Sequence, residues 1–183
     1  HYKRFINKHI QSHLLKTLKA VICVDSNYIN WCHAEVPNRR TWNFKLKYIP
    51  NYADEALFCP SGPVVTLFDN AHPTVLFARR LEAPTFDRDG RGALLLLDSF
   101  RYLAQRGQPM NVIFCGHGPL SASILHYASQ YDLAGHVKIV SRSLDEMPSL
   151  MRSATVVVVP STAHEGTSLA AVEALVMGKP TVV

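Results

Sequence analysis

The chain has 183 residues, 48% hydrophobic and 18% charged, a globular rather than disordered composition with room for one ordinary domain and part of another. Its net charge of +5 is spread over small clusters such as Lys3-Arg4, Arg39-Arg40 and Arg79-Arg80. With no basic block and no aromatic-interleaved motif, this reads as a mildly basic solvated surface with no nucleic-acid partner, and no apolar run approaches the ~20 residues of a membrane helix.

Apolar residues Phe5, Ile6, Ile10, Leu14, Leu15 and Leu18, mostly three or four apart, predict an amphipathic helix over Tyr2–Leu18. AVICV at 20–24 is a short unbroken apolar run, the pattern of a buried parallel strand. Asp25 or Ser26 then caps a helix near 27–36 that stops at Pro37. KLKYI at 45–49 alternates like a strand and meets the Pro50-Asn51 turn. Pro60, Gly62, Pro63 and Pro73 mark 59–73 as a linker or loop. Beyond it, strands at 74–78, 111–115, 137–140, 155–159 and 181–183 alternate with helices at 91–106, 120–132, 145–153 and 167–177. That alternation predicts an α/β domain, a parallel sheet with helices on both faces.

Cys23 and Cys115 fall inside strand runs, as buried free thiols do. The four cysteines show no C-x-x-C spacing and no zinc pattern with histidine. The expectation is a reducing, cytoplasmic setting and no metal. The chain opens on His1 and closes inside the apolar run GKPTVV, which reads as a fragment of a longer polypeptide.

Open parallel sheets bind ligands beyond the carboxyl ends of their strands. The loops there carry Arg79-Arg80, Gly116-His117-Gly118-Pro119, Ser141-Arg142 and Pro160 through Ser168. The last is followed by a helix for which Thr167 or Ser168 is a suitable N-cap. Gly166 permits a tight turn, and the free N–H groups and dipole of the first helical turn favour an anion. Glu173, in the second turn, leans back toward that end and suits neutral hydroxyls, since a carboxylate accepts strong hydrogen bonds. An anion beside a hydroxyl-bearing group describes a nucleotide-sugar.

The order P-S, E-G-T-S-L, E-A-L-x-x-G-K-P over Pro160–Pro180, after a four-valine strand, resembles the signature of retaining glycosyltransferase family 4. FARRL at 77–81 is similar to the family's strand ending in G-R-L, with Arg79 in place of glycine. RGALLLLDSF at 91–100 is similar to its K-G-x-x-x-L-L-x-A-F helix, with Arg91 for lysine. FCGHGPL at 114–120 matches its G-x-G-P turn. YIPNYADEALF at 48–58 resembles the segment leading into its donor domain, with Tyr52 for glycine, and AVICVDS at 20–26 resembles the last strand of its N-terminal domain.

The resemblance implies a GT-B fold, two Rossmann-like domains facing a cleft. Residues 1–58 would be the end of the acceptor-side domain and the lead into the next, and 74–183 a truncated donor domain. It implies a glycosyltransferase of hexosyltransferase type, using a UDP-, GDP- or ADP-sugar with retention and without a metal or other cofactor. Arg80 and Arg91 would hold the pyrophosphate, and Glu165 would lie near the donor sugar. Glu173 would hold the ribose, with Gly166, Thr167, Ser168, Leu169, Gly116, Gly118 and Arg142 completing the donor site. The acceptor, whether glycan, lipid or small molecule, would be bound by the missing N-terminal domain, and membrane association would come through the parent protein. A dinucleotide-dependent oxidoreductase fits poorly, because Gly116-x-Gly118 is followed by Ser121 where that fingerprint needs glycine. The alternative from another class is a catalytically silent GT-B-like domain acting as a nucleotide-binding or interaction module.

Overall fold

The computed structural model describes residue 13 and residues 18–35, 45–82, 91–162 and 166–183. The helix expected over 2–18 falls almost wholly outside them. The chain forms two compact units, His1–Asn51 and Tyr52–Val183.

In the first unit, β1 (Ala20–Cys23) pairs in parallel with β2 (Lys45–Tyr48), and α1 (Ser26–Glu35) lies between them in sequence. Asp25 Oδ1 accepts the Tyr28 N–H at 3.0 Å, the hydrogen bond of an N-cap. β1 is not buried along its length as the apolar run predicts. Cys23 is buried but Ile22 is exposed, as happens when a strand has only one covered face.

The second unit is a five-stranded, all-parallel sheet in the order β5-β4-β3-β6-β7. The strands are β3 (Thr74–Ala78), β4 (Asn111–Cys115), β5 (Val137–Val140), β6 (Val156–Val158) and β7 (Thr181–Val182). The intervening helices are α2 (Ala93–Ala104), α3 (Leu120–Gln130), α4 (Met147–Ser153) and α5 (Leu169–Val176). Alternation along β3 explains how helices cover both faces. Val75 and Phe77 enter a core with Leu97 and Phe100 of α2 and Ile124 of α3. Leu76 enters another with Leu150 and Met151 of α4 and Ala174 of α5. Helix α4 starts later than its apolar pattern predicts, because a 3-10 turn at Leu144–Glu146 precedes it. Pro148 sits in its first turn, where no intrahelical donor is lost.

The unit begins at Tyr52, ahead of the 59–73 segment, so that segment is a loop of the unit and joins no separate bodies. Ala53 and Phe58 are buried in the core, and Leu67 and Phe68 pack against it. Arg152 pins the loop by donating to the carbonyls of Cys59, Ser61 and Pro63 at 2.9, 3.2 and 2.8 Å. The buried Asn111 side chain donates to Asn70 Oδ1 at 2.7 Å and to His72 O at 3.3 Å. Cys23, Cys59 and Cys115 are free thiols. No helix among the described residues is long and apolar enough to cross a membrane.

Candidate functional site

From β3 the sheet grows outward through β4 to β5, and the chain then returns to place β6 on the other side of β3. At such a reversal the loops after the two neighbouring strands run to opposite faces and leave a crevice at their carboxyl ends. Here those loops are the ones beginning at Arg79 and at Val159.

The segment after β3 is held to the glycine turn after β4. Arg79 N–H donates to Cys115 O at 3.0 Å, Leu81 N–H to His117 O at 3.0 Å, and Leu120 N–H to Leu81 O at 3.1 Å. A Cβ at Gly116 would lie 2.1 Å from Arg79 O, and one at Gly118 would lie 2.1 Å from Leu81 O. The space that these glycines leave open is therefore filled by the protein's own backbone. Their observed part is to seat the arginine-bearing segment against the turn.

Arg80 projects into solvent, its side chain 75% exposed, with Nη1 3.5 Å from Glu82 Oε1. Arg91 approaches the same carboxylate from the start of α2, with Nε 3.4 Å from Glu82 Oε2. Gly92, the α2 N-cap, has φ +78°, and a Cβ there would stand 1.8 Å from Pro160 O. The loop after β6 is thus pressed against the base of Arg91. The same loop meets the end of β3, where the Arg79 guanidinium donates to Ser161 Oγ. Stretches 79–82 and 91–92 meet the distant stretch 160–161 at one place.

Beyond that loop, Ser168 takes the N-cap position of α5 with φ −70° and ψ 118°, but its hydroxyl makes no capping hydrogen bond. The first-turn N–H groups keep no acceptor from that side chain. Gly166, Thr167 and Ser168 are half-buried and Leu169 is exposed. Ala170, Ala171 and Ala174 let the helix lie close against the core. Glu173 follows in the second turn, half-buried, and burial alone pushes its carboxyl above the ordinary range. Among the described residues no hydrogen bond or ion pair reaches that carboxylate.

One expected residue stands apart from this group. Arg142 follows β5, three strand positions from β6 and so about 14 Å across the sheet, with Nη1 donating to Ser141 O at 3.2 Å. Glu165 lies outside the described residues. Sequence reasoning missed Gly92, Ser161 and Glu82. Gly92 had a legible signal, a glycine directly before an apolar helix, while Ser161 and Glu82 had none. A cavity of about 320 Å³ lined by Val64, Phe68, Thr74, Ile113 and Arg152 lies at the opposite end of the sheet, where β3 begins.

Residues 66–183 match the family model of the glycosyl transferases group 1. Comparison with curated proteins gave no match. Among solved structures, sucrose-phosphate synthase from Thermosynechococcus elongatus superposes with a TM-score of 0.71 at 22% identity, over 95% of this chain and 42% of that one. HepE of Anabaena, in complex with UDP, gives 0.73 at 20% identity, over 96% and 48%. The pneumococcal O-GlcNAc transferase GtfA, in complex with UDP and GlcNAc, gives 0.67 at 14% identity, over 94% and 31%. At these identities the likeness is one of fold, and this chain spans less than half the length of each.

Proposed function

The chain belongs to the group 1 glycosyl transferases, and from that premise we propose that it carries the donor-binding part of a retaining family 4 hexosyltransferase. The donor is a nucleoside-diphosphate sugar, and the acceptor is taken by the acceptor-side domain of the parent, to which residues 1–58 lead back. UDP bound to the structural relatives HepE and GtfA supports a nucleotide donor.

The observation that carries the reading is Glu173. A half-buried carboxylate without a partner among the described residues is a standing cost to the fold, and ribose hydroxyls would offset it by donating two charge-assisted hydrogen bonds. The diphosphate would then lie at the uncapped start of α5, against the backbone of Gly166 to Leu169. Arg80 and Arg91 neutralise the diphosphate and the charge growing on it as the sugar departs, a task in which preorganised cations count heavily. With two guanidiniums in that role, the reading assigns no metal ion. Glu165 is assigned to the donor sugar from its place in the sequence motif alone, the turn at Gly116 and Gly118 borders the phosphates, and Arg142 flanks the base.

A thermal-shift screen of UDP-, GDP- and ADP-sugars and their diphosphates against the 183-residue chain tests this. One nucleotide series should raise the melting temperature in a saturable, concentration-dependent way, since a ligand selective for the folded state stabilises it by mass action. No shift at millimolar concentration of any of them would refute the donor role. The isolated chain should bind the nucleotide yet transfer no sugar, and measurable turnover by it would overturn the assignment of acceptor binding elsewhere.

A further inference from the structure

We propose that Glu82 is a built-in competitor for the donor's diphosphate, its carboxylate occupying Arg80 and Arg91 until a nucleotide displaces it. The inference rests on the reading of those two arginines as the diphosphate-holding cations. Its own basis is geometric. The two oxygens of Glu82 are divided between the two arginines, Oε1 at 3.5 Å from Arg80 Nη1 and Oε2 at 3.4 Å from Arg91 Nε. A carboxylate offers two anionic oxygens in a plane, and a phosphate presents its oxygens to guanidiniums in the same way. The side chain thus stands where one phosphate group of a donor would be held.

The contact is also made to be broken. Both separations exceed those of a well-formed charge-assisted hydrogen bond. The Glu82 and Arg80 side chains are 46% and 75% exposed, so water and salt screen the pair. A diphosphate brings more charge and more acceptor oxygens than one carboxylate and wins the exchange. Glu82 then remains close to the bound anion as a like charge, which lowers donor affinity and hastens release of the nucleoside diphosphate after transfer. Glu82 is in this sense a positioning residue that acts through the arginines.

The test is calorimetric titration of UDP into the 183-residue chain and its Glu82→Gln variant, with a thermal melt of each. The substitution keeps the size of the side chain and removes its charge, and the exposed site leaves the melt unchanged. The variant should bind UDP about 2- to 10-fold more tightly at low ionic strength, the scale of two exposed ion pairs. The gain should fade in ~0.5 M salt as screening rises, and shrink in an Arg80→Ala background. A side chain that merely shaped the loop would give the opposite sign, weaker binding by the variant. Equal or weaker binding by Glu82→Gln, with UDP bound by the parent sequence, overturns the competitor role and leaves the donor site standing. An undiminished gain in the Arg80→Ala background overturns it as well. Absence of binding by both proteins of UDP, and of GDP and ADP titrated in its place, overturns the donor reading and this one with it.

Discussion

Glu173→Gln should move stability and nucleotide affinity in opposite directions. In the structure the carboxylate is half-buried, accepts no hydrogen bond from the described residues, and has its pKa raised by burial. An acid whose folded pKa lies above its unfolded one binds more protons in the native state, so stability falls as pH rises through that window and the penalty is fully present only above the folded pKa. Replacing the carboxylate by an amide of the same shape removes the charged form that burial disfavours. The variant should therefore melt at the same or a higher temperature at pH 7. The difference should vanish in acid, below the ordinary carboxylate range, where both side chains are neutral. Binding should go the other way. Losing charge-assisted hydrogen bonds to the ribose costs about 1.5–3 kcal/mol, or roughly 10- to 150-fold in the dissociation constant. Melts across about pH 3–8 and calorimetry with UDP and GDP read the two effects separately. Unchanged affinity for every nucleotide would remove the ribose role. A melting temperature lowered by several degrees at pH 7 would show that the carboxylate has a structural partner, and would sink the argument from its isolation.

Two further substitutions probe what holds the site. Gly92→Ala puts a Cβ at φ +78° and 1.8 Å from Pro160 O; we expect a loss of about 2 kcal/mol or more in urea unfolding, with weaker nucleotide binding as the 160–162 loop is pushed off Arg91. Wild-type stability and affinity would show that the two loops are free to separate. Arg152→Ala removes the donor to the carbonyls of Cys59, Ser61 and Pro63. It should cost about 1.5–3 kcal/mol and speed amide exchange in 59–68 while leaving UDP affinity unchanged, because the contact lies at the opposite end of the sheet from the crevice. A fall in UDP affinity without a loss of stability would refute that separation.

The alternation of short apolar strands with amphipathic helices from 74 onward was legible because it depends on neighbours two to four residues apart. TVLFA and NVIFC became β3 and β4 with the bounds that their apolar runs suggest. The ends of helices were less legible. α2 begins at Ala93 because Gly92 takes a left-handed turn against Pro160, and no pattern within the helix records that contact. The 59–73 segment showed its turns but not its attachment, since Arg152, which ties it down, lies about ninety residues away.

By itself the sequence determined that this is a parallel α/β chain of group 1 glycosyl transferase type, with arginines, glycines and a glutamate after its strands. Tertiary structure alone decided how they are used. Strand order put β6 beside β3, so that Arg79 meets Ser161 and Gly92 lies against Pro160. It gave the open space of Gly116 and Gly118 to the chain's own backbone, and it set Glu82 between the two arginines. The division follows from range: hydrophobic periodicity is written between near neighbours, whereas Thr74 N–H finds Thr155 Oγ1 across 81 residues, a pairing selected only when the sheet closes around its two cores.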